Sequence, residues 1–287
     1  MKKILLILAL VLVAVYVALT LFSSNDDYSM EKAYFEAIKE YHKIVNNPDV
    51  APPAMLSSVE NKLKDIIERF PNNEKIRAVK MVLAEFYLGN KEYDKALGVV
   101  DHVLDTYGEE VTPSSQAQFL KGLIYERQGL WPKAKKEYLI LRDNYTETPI
   151  GFQVPLYIGN YHKQKGDFDK ADQAHREAVE FYSEMEVQSR GKVLGYVAAN
   201  MLLQAQMELK DYLSAEETLL YIIDAYPSDL TFGQQLIKVE EILIKHLKSP
   251  EKAMAVYQNM KNKTKNDKLI ALIDQKIAQL GAPQAPK

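Results

Sequence analysis

From Asp27 onward, apolar side chains recur every three or four positions. Leu63, Ile66, Ile67 and Phe70 form one such set, and Val79, Val82, Leu83, Phe86 and Tyr87 another. That period lays one apolar stripe along an α-helix, whereas a half-buried strand would alternate. Turn signals interrupt the stripes at regular intervals: Asn46-Asn47-Pro48, Phe70-Pro71-Asn72-Asn73, Gly89-Asn90, Gly129, Gly166-Asp167, Tyr226-Pro227-Ser228 and Lys248-Ser249-Pro250. Proline is expected at these boundaries or in first helical turns, where its missing N–H costs little. Ser249-Pro250-Glu251 reads as an N-cap, a first-turn proline and an acid on the positive helix end. The pattern predicts an all-α chain of short helices.

The first residues follow another rule. Lys2 and Lys3 precede an apolar run from Ile4 to Phe22, softened only by Tyr16 and Thr20. Nineteen residues at about 1.5 Å rise reach about 28 Å, close to the ~30 Å hydrocarbon thickness of a bilayer. A cleaved secretory signal has a shorter apolar centre and a small-x-small site, and Ala18-Leu19-Thr20-Leu21-Phe22-Ser23-Ser24 offers no good one. The run therefore reads as a retained transmembrane anchor, with secretion after cleavage as the alternative. Basic residues before it and Asp26 and Asp27 after it place the amino end in the cytoplasm and the body outside.

Within the body a fixed register appears. Ala96, Ala134, Ala171, Ala215 and Ala253 are separated by 38, 37, 44 and 38 positions. Three residues before each stands Tyr93, Trp131, Phe168, Tyr212 or Pro250. Eleven after the first four stand Tyr107, Tyr145, Tyr182 and Tyr226, and twelve before the first three stand Ala84, Gly122 and Gly159. The physical reading is a repeated helical hairpin. A small residue on the first helix faces a small residue on the second, the aromatic near the turn fills the wedge between them, and the later tyrosine packs toward the following hairpin. Such a hairpin cannot bury its apolar face alone, so neighbours stack.

In these motifs the chain resembles the tetratricopeptide-repeat family: Leu83-Ala84-Glu85-Phe86-Tyr87 with Tyr93-Asp94-Lys95-Ala96 and Tyr107; Gly122-Leu123-Ile124-Tyr125 with Gly129 and Trp131-Pro132-Lys133-Ala134; Gly159 with Gly166-Asp167-Phe168-Asp169-Lys170-Ala171. The resemblance implies an α-solenoid of stacked hairpins whose first helices line a concave, protein-binding groove. It divides the chain into 1–24 (cytoplasmic end and anchor), 25–73 (linking helix and degenerate first repeat), 74–262 (about five hairpins) and 263–287 (capping helix and flexible tail). The units are longer than the family's usual 34 residues. Leu203 and Glu241 stand where a small residue is expected, so the last two hairpins pack more loosely or shift by a residue. The layout also resembles bacterial translocon-associated single-pass repeat proteins of the inner membrane.

Composition narrows the chemistry. Without cysteine there are no disulfides, thiol nucleophiles, thiolate zinc sites or lipid-bearing Cys. The last absence separates the chain from outer-membrane assembly lipoproteins that share the repeats. A net charge of −3 with few arginines argues against a nucleic-acid partner. No phosphate loop, nucleophile elbow or His-Glu-x-x-His occurs, and no catalytic residue, cofactor or metal is expected. His162 and His175, which replace Tyr125 and Tyr138 in the next unit's register, read as packed rings of the hairpin seam rather than a metal pair. The pairs Glu216-Glu217 and Glu240-Glu241 read as solvated faces, as does the lysine-rich stretch 238–276.

The resemblance carries the groove onto Gln116, Phe119, Leu123 and Arg127, then Gln153, Asn160 and Lys163, then Asn200 and Gln204, and finally Gln235. Amides donate to and accept from an extended backbone. The expectation is a non-enzymatic scaffold of the cell envelope, inner-membrane and periplasmic, that binds a partner protein; an accessory role in envelope assembly, export or translocation is the alternative. Oligomeric state and the partner's identity are not legible.

Overall fold

The computed structural model describes residues 27–46 and 52–281. The apolar run from Ile4 to Phe22 and the tail beyond Gly281 lie outside the described residues. Among those described, no helix is long and apolar enough to cross a membrane and no strand occurs. Residues 27–46 are helical (α1). There follow α2 (Pro53–Arg69), α3 (Ile76–Gly89), α4 (Tyr93–Tyr107), α5 (Val111–Arg127), α6 (Trp131–Asn144), α7 (Pro149–Gln164), α8 (Phe168–Gln188), α9 (Val193–Glu208), α10 (Tyr212–Ala225) and α11 (Asp229–Val239). A π-helical segment (Glu240–His246), α12 (Pro250–Lys263) and α13 (Asp267–Gly281) complete the chain.

Five tight turns each place one residue in the left-handed region. Lys91, Gly129, Gly166, Lys210 and Lys248 all have φ between 54° and 78°, and each stands five positions before the register alanine. In the first four, the N–H of the next residue reaches back to the carbonyl of Tyr87, Tyr125, His162 or Gln206, while the left-handed residue's own N–H bonds Leu88, Glu126, Lys163 or Met207. This pair of bonds satisfies the last carbonyls of the first helix and reverses the chain. The left-handed residue of the first turn is thus Lys91, not Gly89 or Asn90. Where lysine holds the position, its Cβ makes the conformation costly.

The alanines of the register are all buried, but small does not face small. Gly122 receives the ring of Tyr138 and Gly159 the ring of His175; a Cβ on either glycine would overlap the ring. Both rings stand four residues after the alanine. In the neighbouring units the same two positions hold Ala84 with Val100 and Leu203 with Leu219, all buried. At Gly122 and Gly159 the missing side chain on the first helix thus makes room for a ring on the second, as close packing requires. Leu203 is 2% exposed and belongs to the core of its hairpin, so the seam is filled there as well.

The turn aromatics divide: Trp131 packs on Tyr138 of its own hairpin, ring centroids 6.2 Å apart, as expected, whereas two others reach onward, Tyr93 donating to the Arg127 carbonyl at 3.3 Å and Tyr212 stacking on His246 at 3.9 Å, each 34 positions ahead. Phe168 fills no wedge and is 65% exposed. The later tyrosines turn back onto their own hairpin. Tyr107 lies under Lys80, Tyr182 hydrogen-bonds the Leu156 backbone, and Tyr226 packs on Tyr196. Pro155 sits inside α7, not at a boundary. Ser249 precedes α12 without capping it; its hydroxyl donates to the Leu247 carbonyl instead.

Two compact units result, one ending at Phe152 and one beginning at Gln153. The core of the first is built on Leu63, Ile66, Ile76, Val79, Phe86, Val100 and Ile124. In it α1 lies along α2 and α3, with Met30 and Ala37 buried, Ser58 donating to Glu40 at 3.1 Å and Tyr41 edge-on to Phe86. The core of the second unit joins Leu203, Leu219, Ile222, Phe232, Leu236, Ile242 and Tyr257, closed by Leu269 and Ile273 of α13. Second helices are tied by buried acids. Glu186 on α8 accepts from Arg190 and from Tyr221 of α10, and Glu216 on α10 accepts twice from Lys252 of α12. Glu216 is accordingly no solvated side chain; burial of a carboxylate requires such partners. Much of the lysine excess in 238–276 is likewise engaged, with Lys238, Lys252, Lys261, Lys263 and Lys276 in ion pairs.

Candidate functional site

The expected groove residues fall into two groups, one in each unit. In the first unit Gln116 is exposed beside a small hollow shared with Arg77 and Met81. Phe119 and Leu123 are half-buried; the Phe119 ring lies 5.8 Å from Tyr138. Arg127 is exposed.

In the second unit, first helices present a denser polar set. Gln153 is exposed and Asn160 half-buried on α7. Lys163, at the end of that helix, pairs with Glu208 at the end of α9 at 2.5 Å. On α9, Gln204 is exposed and Asn200 half-buried. Asn200 is committed internally: its amide donates to the Tyr196 carbonyl at 2.8 Å, and its oxygen accepts from Gln235 at 2.9 Å. Gln235 is only 1% exposed and its own oxygen has no partner. It is a buried strut between α9 and α11, not a groove residue.

The reason is the π-helical segment. At the fifth turn the Ser249 N–H reaches Leu243, and the Leu247 N–H reaches Ile242. The loop of backbone is one residue longer than in the other hairpins. Counting back from Ala253 therefore misplaces everything before the segment by one. Gln235 and Ile242 turn inward, while Gln234 and Ile237 turn outward. Tyr196 donates to Gln234 across the two helices. The open face of α11 then carries Leu230 at 72% exposure, Gln234, and Ile237 at 70%; Val193 at the start of α9 is 81% exposed. These aliphatics escaped the sequence reading. Counting forward from Ser228, which caps α11 through the Thr231 N–H, would have found them.

His162 and His175 are both buried. The His175 ring occupies the space over Gly159, and burial lowers its pKa from the ordinary 6.5, with Glu208, Lys163 and Asp172 as neighbouring charges. His162 lies 3.7 Å from Asp167. Among the described residues no three His, Asp or Glu side chains gather as a metal site.

No protein-family model matches the chain, and no curated protein does. Among solved structures, a tetratricopeptide repeat protein from Parabacteroides merdae ATCC 43184 is similar at 17% identity and TM-score 0.37, over 88% of this chain and 95% of that one. BtubC (BKLC) from P. vanneervenii is similar at 12% identity and TM-score 0.34, over 91% and 95%. The hairpins themselves define the fold: helices are paired through repeated left-handed turns and packed on shared cores within each unit.

Proposed function

We propose that the chain is a non-enzymatic scaffold of tetratricopeptide type that takes up an extended segment of a partner protein on the first-helix face of its second unit. The observation that carries this reading is the mixture on that face. Gln153, Gln204 and Gln234 offer donors and acceptors for a peptide backbone, and Leu230 and Ile237 expose large aliphatic groups on the face of α11 that carries Gln234. Exposed aliphatic groups a turn or two apart on one helix face supply seats for the side chains of a bound segment. We further propose that Ile4 to Phe22 anchors the chain in the bacterial inner membrane with its body in the periplasm, on the charge asymmetry of the flanks.

Photo-crosslinking amino acids placed in cells at Gln204 and Gln234 are expected to trap the same protein, with none trapped from the exposed Arg176 on second helix α8. Equal adducts from Arg176 would place binding elsewhere. For the anchor, alkaline phosphatase fused after Lys287 is expected to be active; an inactive fusion reverses the orientation.

A further inference from the structure

The first unit holds a cleft of about 780 Å³ between α2, α3 and α4, within the range of small-molecule sites. Its floor is apolar: Ile67 from α2, Leu83 from α3 and Val99 from α4. The α4 wall contains Gly98, where an added Cβ would meet nothing within 4 Å. Glycine within a helix costs stability relative to alanine, and here neither packing nor backbone conformation calls for it. The corresponding residues two after the register alanine are Lys136, Gln173, Glu217 and Ala255, so only the hairpin of Ala96 leaves this position without a Cβ.

Three lysines line the cleft, and their states differ. Lys64 is paired with Glu60 and Lys95 with Glu92. Lys80 has no carboxylate partner among the described residues; its ammonium donates to His102 Nε2 at 3.0 Å and lies 5.5 Å from the Tyr107 ring centroid. An ammonium has three donors and one is taken by His102, which leaves donors for a ligand. Burial lowers the Lys80 pKa, the mark of a cation partly removed from water without an anion to compensate it. The only carboxylate among the lining residues, Glu68, is solvent-exposed.

We propose that this cleft binds an amphiphilic carboxylate, with an aliphatic body on the Ile67–Leu83–Val99 floor in the space left by Gly98, and the acid group on the Lys80 ammonium. The site is independent of the peptide-binding face proposed for the second unit.

Lysine footprinting of the full-length chain in nanodiscs tests it. A water-soluble acylating reagent is applied with octanoate, octanol or acetate, and each lysine's labelling rate is read by peptide mass mapping. Octanoate at about ten times its Kd is expected to slow Lys80 labelling about tenfold, with Lys64 and Lys95 changing less than about twofold. Octanol lacks the charge and acetate lacks the body, so each is expected to leave Lys80 within about twofold. Gly98→Leu, which puts a side chain into the space beside the floor, is expected to weaken the octanoate protection. Protection by acetate or octanol equal to that by octanoate, no protection by octanoate, or protection undiminished in Gly98→Leu would overturn the proposal. If Gly98→Leu does not fold, the three-ligand comparison in the unaltered chain decides alone.

Discussion

Single residues set the geometry of each hairpin, and they do so by two separate costs. At the turns the cost is backbone strain. Lys91, Lys210 and Lys248 hold the left-handed conformation that Gly129 and Gly166 hold freely. Lys91→Gly and Lys210→Gly are each expected to raise stability by about 0.5–1 kcal/mol, and Gly129→Ala to lower it by a similar amount, as measured by urea unfolding. Gly129 has open space around a would-be Cβ, so any loss there is conformational. In the seam the cost is volume. Gly122→Ala drives a methyl into the Tyr138 ring, and the ring is held by its hydrogen bond to Glu126 at 2.9 Å. A loss of about 1–3 kcal/mol is expected from that substitution. The glycines at 122 and 129 are thus alike in sequence and opposite in mechanism.

At the level of the element, the π-helical segment decides which face of α11 meets solvent. Removing one residue from Glu240–His246 is expected to leave a cooperative thermal transition, because the inserted residue is local to the segment. Removing Val197 from α9 rotates every preceding side chain by about 100° and is expected to abolish cooperativity. Circular dichroism melts separate the two. The strut between α9 and α11 makes a second prediction. Asn200→Ala strips Gln235 of its partner inside the core, and a loss of about 1–3 kcal/mol is expected, visible in the same melts. Gln204→Ala, on the exposed side of α9, is expected to leave stability unchanged. Asn200 is therefore unsuited as a pure binding variant, whereas Gln204 is suited.

For the whole molecule, the buried imidazole of His175 couples folding to pH. The folded-state pKa lies below the ordinary 6.5, so the unfolded chain takes up the proton first as pH falls. The contribution is complete above that value and is lost on going lower. A decline in melting temperature between about pH 7.5 and about pH 5.5 is expected, and it should be diminished in His175→Tyr, which places the ring type of Tyr138 over Gly159. The paired carboxylates Glu186 and Asp224, held below the usual range by Arg190 and Lys263 respectively, act in a more acidic window and leave this comparison undisturbed. An unchanged slope in the variant would assign the pH dependence to another group.

The five-fold register was legible because each hairpin repeats the same needs: a buried alanine, a reversing turn and an apolar stripe of helical period. Those needs are local, so they are written within about forty residues each time and survive being read in one dimension. The exchange of volume between Gly122 and Tyr138 was not legible, since it depends on which ring lies over which backbone. Nor was the direction taken by Tyr93 and Tyr212, or the burial of Glu216. The inward turn of Gln235 is the sharpest instance. A single extra residue of helix, with no composition of its own, changes the phase of every side chain before it. Sequence by itself determined the helices, the hairpins and their repetition; only tertiary packing decided the phase of each helix about its axis, and with it which amides face a partner and which hold the core.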